Sequence, residues 1–171
     1  MWWFVGVVVI IVVGVILTKT RQEAVDSTPP PVKGDELAIW PFTVMPIMTD
    51  SEVIFFKKLV EALPEYLIFS QVQLSRIIEP SEDAGNDRAF WFNRICRQSV
   101  DYVVVAKDCQ TVLLAIELDD WTHESKTRQK QDDKKDKALA SAGIAVVRFH
   151  AERMPSIQMI RHDVLMVLQD L

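Results

Sequence analysis

Two short apolar runs, residues 99–106 and 111–119, carry carboxylates among their Val, Leu and Ile side chains. Strand alternation sets Asp101 on the face of Val103 and Val105, and sets Glu117 and Asp119 on the face of Leu113 and Ala115. If the runs form a hairpin centred on Cys109, Asp101 falls directly opposite Glu117. Ionised carboxylates so placed have Cβ atoms roughly 4.5–5.5 Å apart and repel each other. Something must compensate them. A divalent cation, Mg²⁺ or Mn²⁺, would do so, and such an ion polarises a phosphodiester and activates water. A raised carboxylate pKa would serve as well, as would pairing with Lys or Arg, for which Arg148 on the last predicted strand is placed. The spacing leaves both open.

Past the second run the chain reads Asp120-Trp121-Thr122-His123. A histidine here can act as general base toward a metal-bound water; a surface or capping histidine is the plainer alternative. Trp121 is either a stacking platform or a cover for the edge of the core. From Glu124 to Lys137 there are six basic and four acidic side chains and no apolar one before Ala138. Half of that segment, if helical, cannot pack on a core. It is a solvated, salt-bridged face, or one from which Lys130, Lys134 and Lys135 reach phosphates while Asp132, two turns before Leu139, points back toward the carboxylates. Glu52 precedes Phe55, Phe56 and Leu59 at helical spacing, beside a buried stripe. A capping box with Thr49 explains it, and a site-facing carboxylate is the alternative.

The elements that must position these residues follow from pattern. Thr49-x-x-Glu52 and the apolar spacing up to Pro64 predict a helix over 50–62. Residues 66–74 predict a strand, followed by a polar loop through Pro80, Gly85 and Asn86. The two apolar runs predict a hairpin. A charged helix over 125–142 ends at Gly143, IAVVRF supplies a last strand, and 157–168 an amphipathic helix. The expected order is α, β, β, β, α, β, α.

Residues 2–17 hold no charged side chain, and their twelve Val, Ile, Leu and Phe residues favour membrane insertion by roughly 4–7 kcal/mol. Trp2 and Trp3 lie at one end and Lys19 and Arg21 at the other, which places the C-terminal part in the cytoplasm by the positive-inside rule. Residues 1–18 are therefore expected to be a single-pass anchor in a bacterial inner membrane. A cleaved signal peptide would need a basic leading segment and a small-residue cleavage site, and neither is evident. Residues 19–45, with Pro29, Pro30 and Pro31, predict a semi-rigid linker, and 46–171 one globular domain. A net charge of -5 argues against bulk coating of nucleic acid, so such contact must be local. Cys96 and Cys109 form neither a disulfide framework nor a CxxC zinc site.

Residues 49–149 resemble the bacterial family catalogued as domain of unknown function 2726. The resemblance runs through Thr49-x-x-Glu52-x-x-Phe55-Phe56, Gln71-Val72, Val100-Asp101-Tyr102, Ile116-Glu117-Leu118-Asp119-Asp120-x-x-His123, Asp132, Leu139, Gly143 and Arg148. That family is similar in pattern to the PD-(D/E)XK nucleases, and most of all to the very-short-patch-repair endonucleases. The resemblance implies an α/β restriction-endonuclease-like core, a mixed central sheet flanked by helices. It implies a Mg²⁺ or Mn²⁺ site at Asp101 and Glu117, with Asp119 beside it. His123 matches the catalytic histidine and Glu52 the acidic residue on the first helix, whereas Gln71, Asp132 and Arg148 match positions of less defined role. In the reaction so implied, Arg148 or Lys135 contacts the phosphate. One departure stands out: the lysine normally two residues after the second acid is Asp119 here, which shifts weight to His123. The expectation is a membrane-anchored, metal-dependent nuclease acting on DNA or RNA. The alternative is a module that keeps the fold without catalysis and binds nucleic acid or a protein partner at the membrane.

Overall fold

The computed structural model describes residues 39–119 and 126–170, with side chains from 132 onward in the second stretch. The chain divides into two compact units, Met1–Val44 and Met45–Leu171. Of the first, only 39–44 are described. Among the described residues no helix is long and apolar enough to cross a membrane, and the anchor expected over 1–18 lies outside them.

The second unit is a mixed α/β domain. Its elements are α1 (Asp50–Ala62), β1 (Leu67–Gln73), α2 (Arg88–Ile95), β2 (Ser99–Val105), β3 (Val112–Asp119), α3 (Lys126–Ser141), β4 (Ala145–His150) and α4 (Ile157–Gln169), with short 3₁₀ turns between some of them. The strands form one sheet in the order β1-β2-β3-β4. β1, β2 and β3 are antiparallel neighbours, and β4 pairs parallel to β3 across the α3 crossover.

Helices cover both faces. On one, Phe55 and Leu59 of α1 and Ile160 and Val164 of α4 pack on Tyr102, Val104, Leu114 and Ile116. On the other, Ile95 of α2 and Leu139 of α3 pack on Val103, Val105 and Ala115. The central strands are thus buried on both sides, which is why they read as unbroken apolar runs in the sequence.

α1 begins as its capping box requires. Thr49 Oγ1 accepts from the Glu52 N–H, and Glu52 Oε2 accepts from the Thr49 N–H at 2.5 Å. α2 departs from expectation, because the pattern predicts no helix between the loop through Pro80, Gly85 and Asn86 and the strand that begins at Ser99. Three consecutive aromatics, Phe90, Trp91 and Phe92, are about half exposed, and Ile95 alone is buried. Such a helix carries no apolar stripe to read. Its surface is organised instead by Arg94, whose guanidinium lies 3.4 Å from the Phe90 ring centre.

The hairpin turns on Asp108, whose carboxylate accepts from the Gln110 and Thr111 N–H groups at 2.9 Å each, with Cys109 in the left-handed region at φ 62. Val105 pairs with Val112, but the ladder slips there, and Val104, Val103 and Tyr102 pair with Leu114, Ala115 and Ile116. The slip has a consequence for the acids. Continued without it, the Val105–Val112 pairing would set Asp101 against Ile116 and turn Asp101 and Glu117 to opposite faces. The bulge restores their common level. It also moves Leu113 to the core under α1 and α4, away from the face it was expected to share with Glu117.

Candidate functional site

The β2–β3 ladder ends at Tyr102–Ile116, yet both strands continue. β2 runs on beside β1 as far as Ser99, and β3 runs on beside β4 as far as Asp119. The sheet therefore forks one residue before Asp101 and Glu117. Asp101 does not complete the ladder with its backbone; its Oδ2 accepts the Leu118 N–H at 2.8 Å. The direct cross-strand pair expected from alternation is thus a pair at the mouth of a fork.

A cleft of about 690 Å³ opens there, lined by Glu52 from α1, Asp101 from β2, Glu117 and Asp119 from β3, and Asp132 and Lys135 from α3. Six of the residues singled out from sequence thus meet in one place. α3 supplies its two because Asp132 and Lys135 precede the buried Leu139 by seven and four residues, on the helix face turned to the sheet.

Glu117 is the one charged side chain in the buried class among the described residues, at 4% exposure. Lys135 Nζ lies 2.7 Å from its Oε1. This is an ion pair by distance, but no described donor meets that buried oxygen at a hydrogen-bonding angle. Burial pushes the Glu117 carboxyl up from 4.5 to about 7; the Lys135 charge opposes the rise and Asp101 adds to it. Burial raises Asp101 as well, against the Leu118 hydrogen bond and with help from the Glu52 charge. Two elevated carboxylates side by side are what like charges in a dry site produce.

The other expected residues sit as follows. Arg148 does not contact Asp101 or Glu117: its guanidinium bridges Asp119 at 3.3 Å and Asp136 at 2.6 Å. The counter-ion role foreseen for Arg148 therefore falls to Lys135. Pattern missed this, although Lys135 lies one turn before Leu139 and so belongs to the buried side of α3. Glu52 is engaged at both oxygens, Oε1 by the Gln71 amide at 2.9 Å and Oε2 by Thr49. Lys134 is exposed on α3. His123 and Trp121, and the side chain of Lys130, lie outside the described residues. Tyr102 was not singled out for a role, yet its hydroxyl donates to the Glu52 carbonyl at 2.8 Å.

Among the described residues no three His, Cys, Asp or Glu side chains converge into a set that would hold a metal ion unaided. The two acids of the fork nevertheless suit a small hard cation. Mg²⁺ retains several waters and takes one or two protein carboxylates, with substrate oxygens completing the shell. The buried Oε1 of Glu117, which faces the Lys135 charge without a directed hydrogen bond, is the donor atom such an ion would use.

Fold and cleft together define a mixed α/β domain with an acidic site at a forked sheet end. The profile of the family described as protein of unknown function (DUF2726) matches residues 44–168, and the chain belongs to that family. Comparison with curated proteins and with solved structures gave no match.

Proposed function

We propose that this chain is a metal-dependent nuclease of PD-(D/E)XK type that hydrolyses phosphodiester bonds of DNA or RNA. The observation that carries the reading is the Asp101–Glu117 pair at the sheet fork, with the Lys135 ammonium on Glu117. The superfamily lysine is absent from its usual position, where Asp119 stands, but an ammonium from α3 reaches the same carboxylate. When bound, a divalent cation would supply Lewis-acid polarisation of the phosphodiester and a more acidic water. Asp101 and Glu117 are the side chains that would hold it. With Glu117 neutralised by a cation, Lys135 would be the cleft ammonium available to a phosphate oxygen, and His123 would be the proton acceptor. Arg148 bridges Asp119 and Asp136, which supports Lys135 over Arg148 as the phosphate contact. In a screen of plasmid DNA and structured RNA, the full chain is expected to cleave with Mg²⁺ or Mn²⁺ and to stop with EDTA. No cleavage, together with no heat of Mn²⁺ binding, would overturn the proposal.

One observation favours the alternative of a non-catalytic binding module. Among the described residues, the two positive groups beside the fork acids, Lys135 on Glu117 and Arg148 between two aspartates, are both used in ion pairs. Gel-shift binding of nucleic acid without turnover would select that reading.

We also propose that residues 1–18 anchor the chain in the bacterial inner membrane with the domain in the cytoplasm. The apolar run and its Lys19 and Arg21 flank support this. The full chain should stay with membranes after alkaline carbonate extraction, and release by carbonate would refute the anchor.

A further inference from the structure

We infer that Glu52 and Gln71 form a positioning pair that fixes Asp101 at the fork, and that neither supplies a group to the reaction. The inference rests on the proposed nuclease reading only for its metal measurement.

β1 runs beside β2 past the fork. Its pairing with β2 is regular on either side of Gln71, with Ser70 opposite Tyr102 and Val72 opposite Val100, so Gln71 stands at the level of Asp101. Gln71 itself has φ 51, in the left-handed region that residues other than glycine seldom occupy. Such a conformation persists where the surroundings over-determine it.

At this level both strands exchange faces. Ile68 packs on the core under α1 and α4, and Val72, an even number of residues on, packs on the opposite core. Tyr102 and Val100 show the same exchange on β2. Unbroken alternation would keep each pair on one side. The kink therefore lies at Gln71 and Asp101, and it takes Asp101 out of the regular ladder so that its carboxylate reaches the Leu118 N–H.

Glu52 holds the kink from α1. Its Oε1 accepts the Gln71 amide, so it pins β1 at the kink itself. Its carbonyl accepts the hydroxyl of Tyr102, so it pins β2 at the residue beside Asp101. Its Oε2 closes the capping box on the Thr49 N–H and hydroxyl. One residue thus ties the first turn of α1 to both strands next to the acid. Three of the four lone pairs of the Glu52 carboxylate are used, and a metal could take only the remaining one on Oε1, in competition with the Gln71 amide.

The test uses the full chain in detergent micelles. The first measurement, made without metal, is the exchange rate of the Leu118 amide by NMR, since that proton is held by Asp101. The second is Mn²⁺ affinity by calorimetry. Gln71→Gly keeps a left-handed backbone available and removes the side chain that carries the amide. It is expected to speed Leu118 exchange and to weaken Mn²⁺ binding by about tenfold, the lower end for residues that orient a metal ligand. Glu52→Gln keeps the shape and can still bond Thr49 and Gln71, so Mn²⁺ affinity should stay within about threefold, as for exchange of a charged hydrogen bond for a neutral one.

Unchanged Leu118 exchange in Gln71→Gly overturns the inference, as does loss of Mn²⁺ binding in Glu52→Gln with Leu118 exchange unaltered, which would make Glu52 a ligand. If Gln71→Gly does not fold, Tyr102→Phe removes the second tie alone and is read by the same amide. A wild-type chain that takes up no Mn²⁺ would end the nuclease reading, while Leu118 exchange would still decide the positioning role.

Discussion

Glu117→Gln is expected to abolish cleavage and, in the metal-free chain, to make the protein more stable above pH 7. The first effect follows from removing one of two carboxylates that would hold the cation, whose transition-state stabilisation of several kcal/mol corresponds to at least about a thousandfold in rate. The second follows from burial. Glu117 ionises near 7 in the fold against 4.5 for an ordinary glutamate. Because the folded-state value is the higher one, the fold binds the extra proton between the two. Its contribution is therefore fully present below about pH 4.5 and is lost as pH rises through 7. The loss is on the order of 3 kcal/mol for a shift of this size. Asp101, also raised, acts with the same sign. Glutamine imitates the protonated acid, so the variant should lose most of this pH dependence and exceed wild type at pH 8. Urea unfolding of the full chain from pH 4 to 8 measures both curves. A wild-type curve that is flat between 4.5 and 7 would contradict the buried acid, and Mn²⁺ should restore wild-type stability at pH 8 but not that of the variant.

Lys135→Met carries the opposite sign. The ammonium is the positive charge in contact with Glu117, and its side chain is only 12% exposed. Removing one partner of a buried pair leaves the other uncompensated, at a cost of up to about 1.4 kcal/mol at pH 8, the free energy of protonating Glu117 one pH unit above 7. The cost has a ceiling, since Glu117 can take up a proton once its pKa moves further above 7. Destabilisation should accordingly be largest at pH 8 and small near pH 4.5, where Glu117 is already neutral. The double variant Lys135→Met/Glu117→Gln should be far more stable at pH 8 than Lys135→Met alone, because the charge left behind is gone. A double variant whose stability is the plain sum of the two single effects would mean that Lys135 serves α3 itself and not the carboxylate.

Much of this site was legible beforehand. The capping box at Thr49, the helix it starts and the two central strands with their acids follow from periods of 3.6 and 2.0 along the chain. These depend on residues within a few positions of one another. The same reasoning misassigned Leu113, because a bulge inserts one residue into the alternation and leaves no mark in composition. It missed α2, whose exposed aromatics form no stripe. It named Arg148 as counter-ion for the acids when the guanidinium lies between Asp119 and Asp136.

Local pattern thus determined which residues carry charge, where the central strands run, and that two acids lie on a hairpin. Tertiary structure alone decided how they meet. The fork after Tyr102–Ile116 arises because β2 follows β1 while β3 follows β4, a competition between strand partners far apart in sequence. The choice of Lys135 over Arg148 depends on where α3 crosses the sheet, and the engagement of Glu52 depends on a left-handed turn at Gln71. Each of these is fixed by long-range packing, which acts on the chain only after the local elements exist.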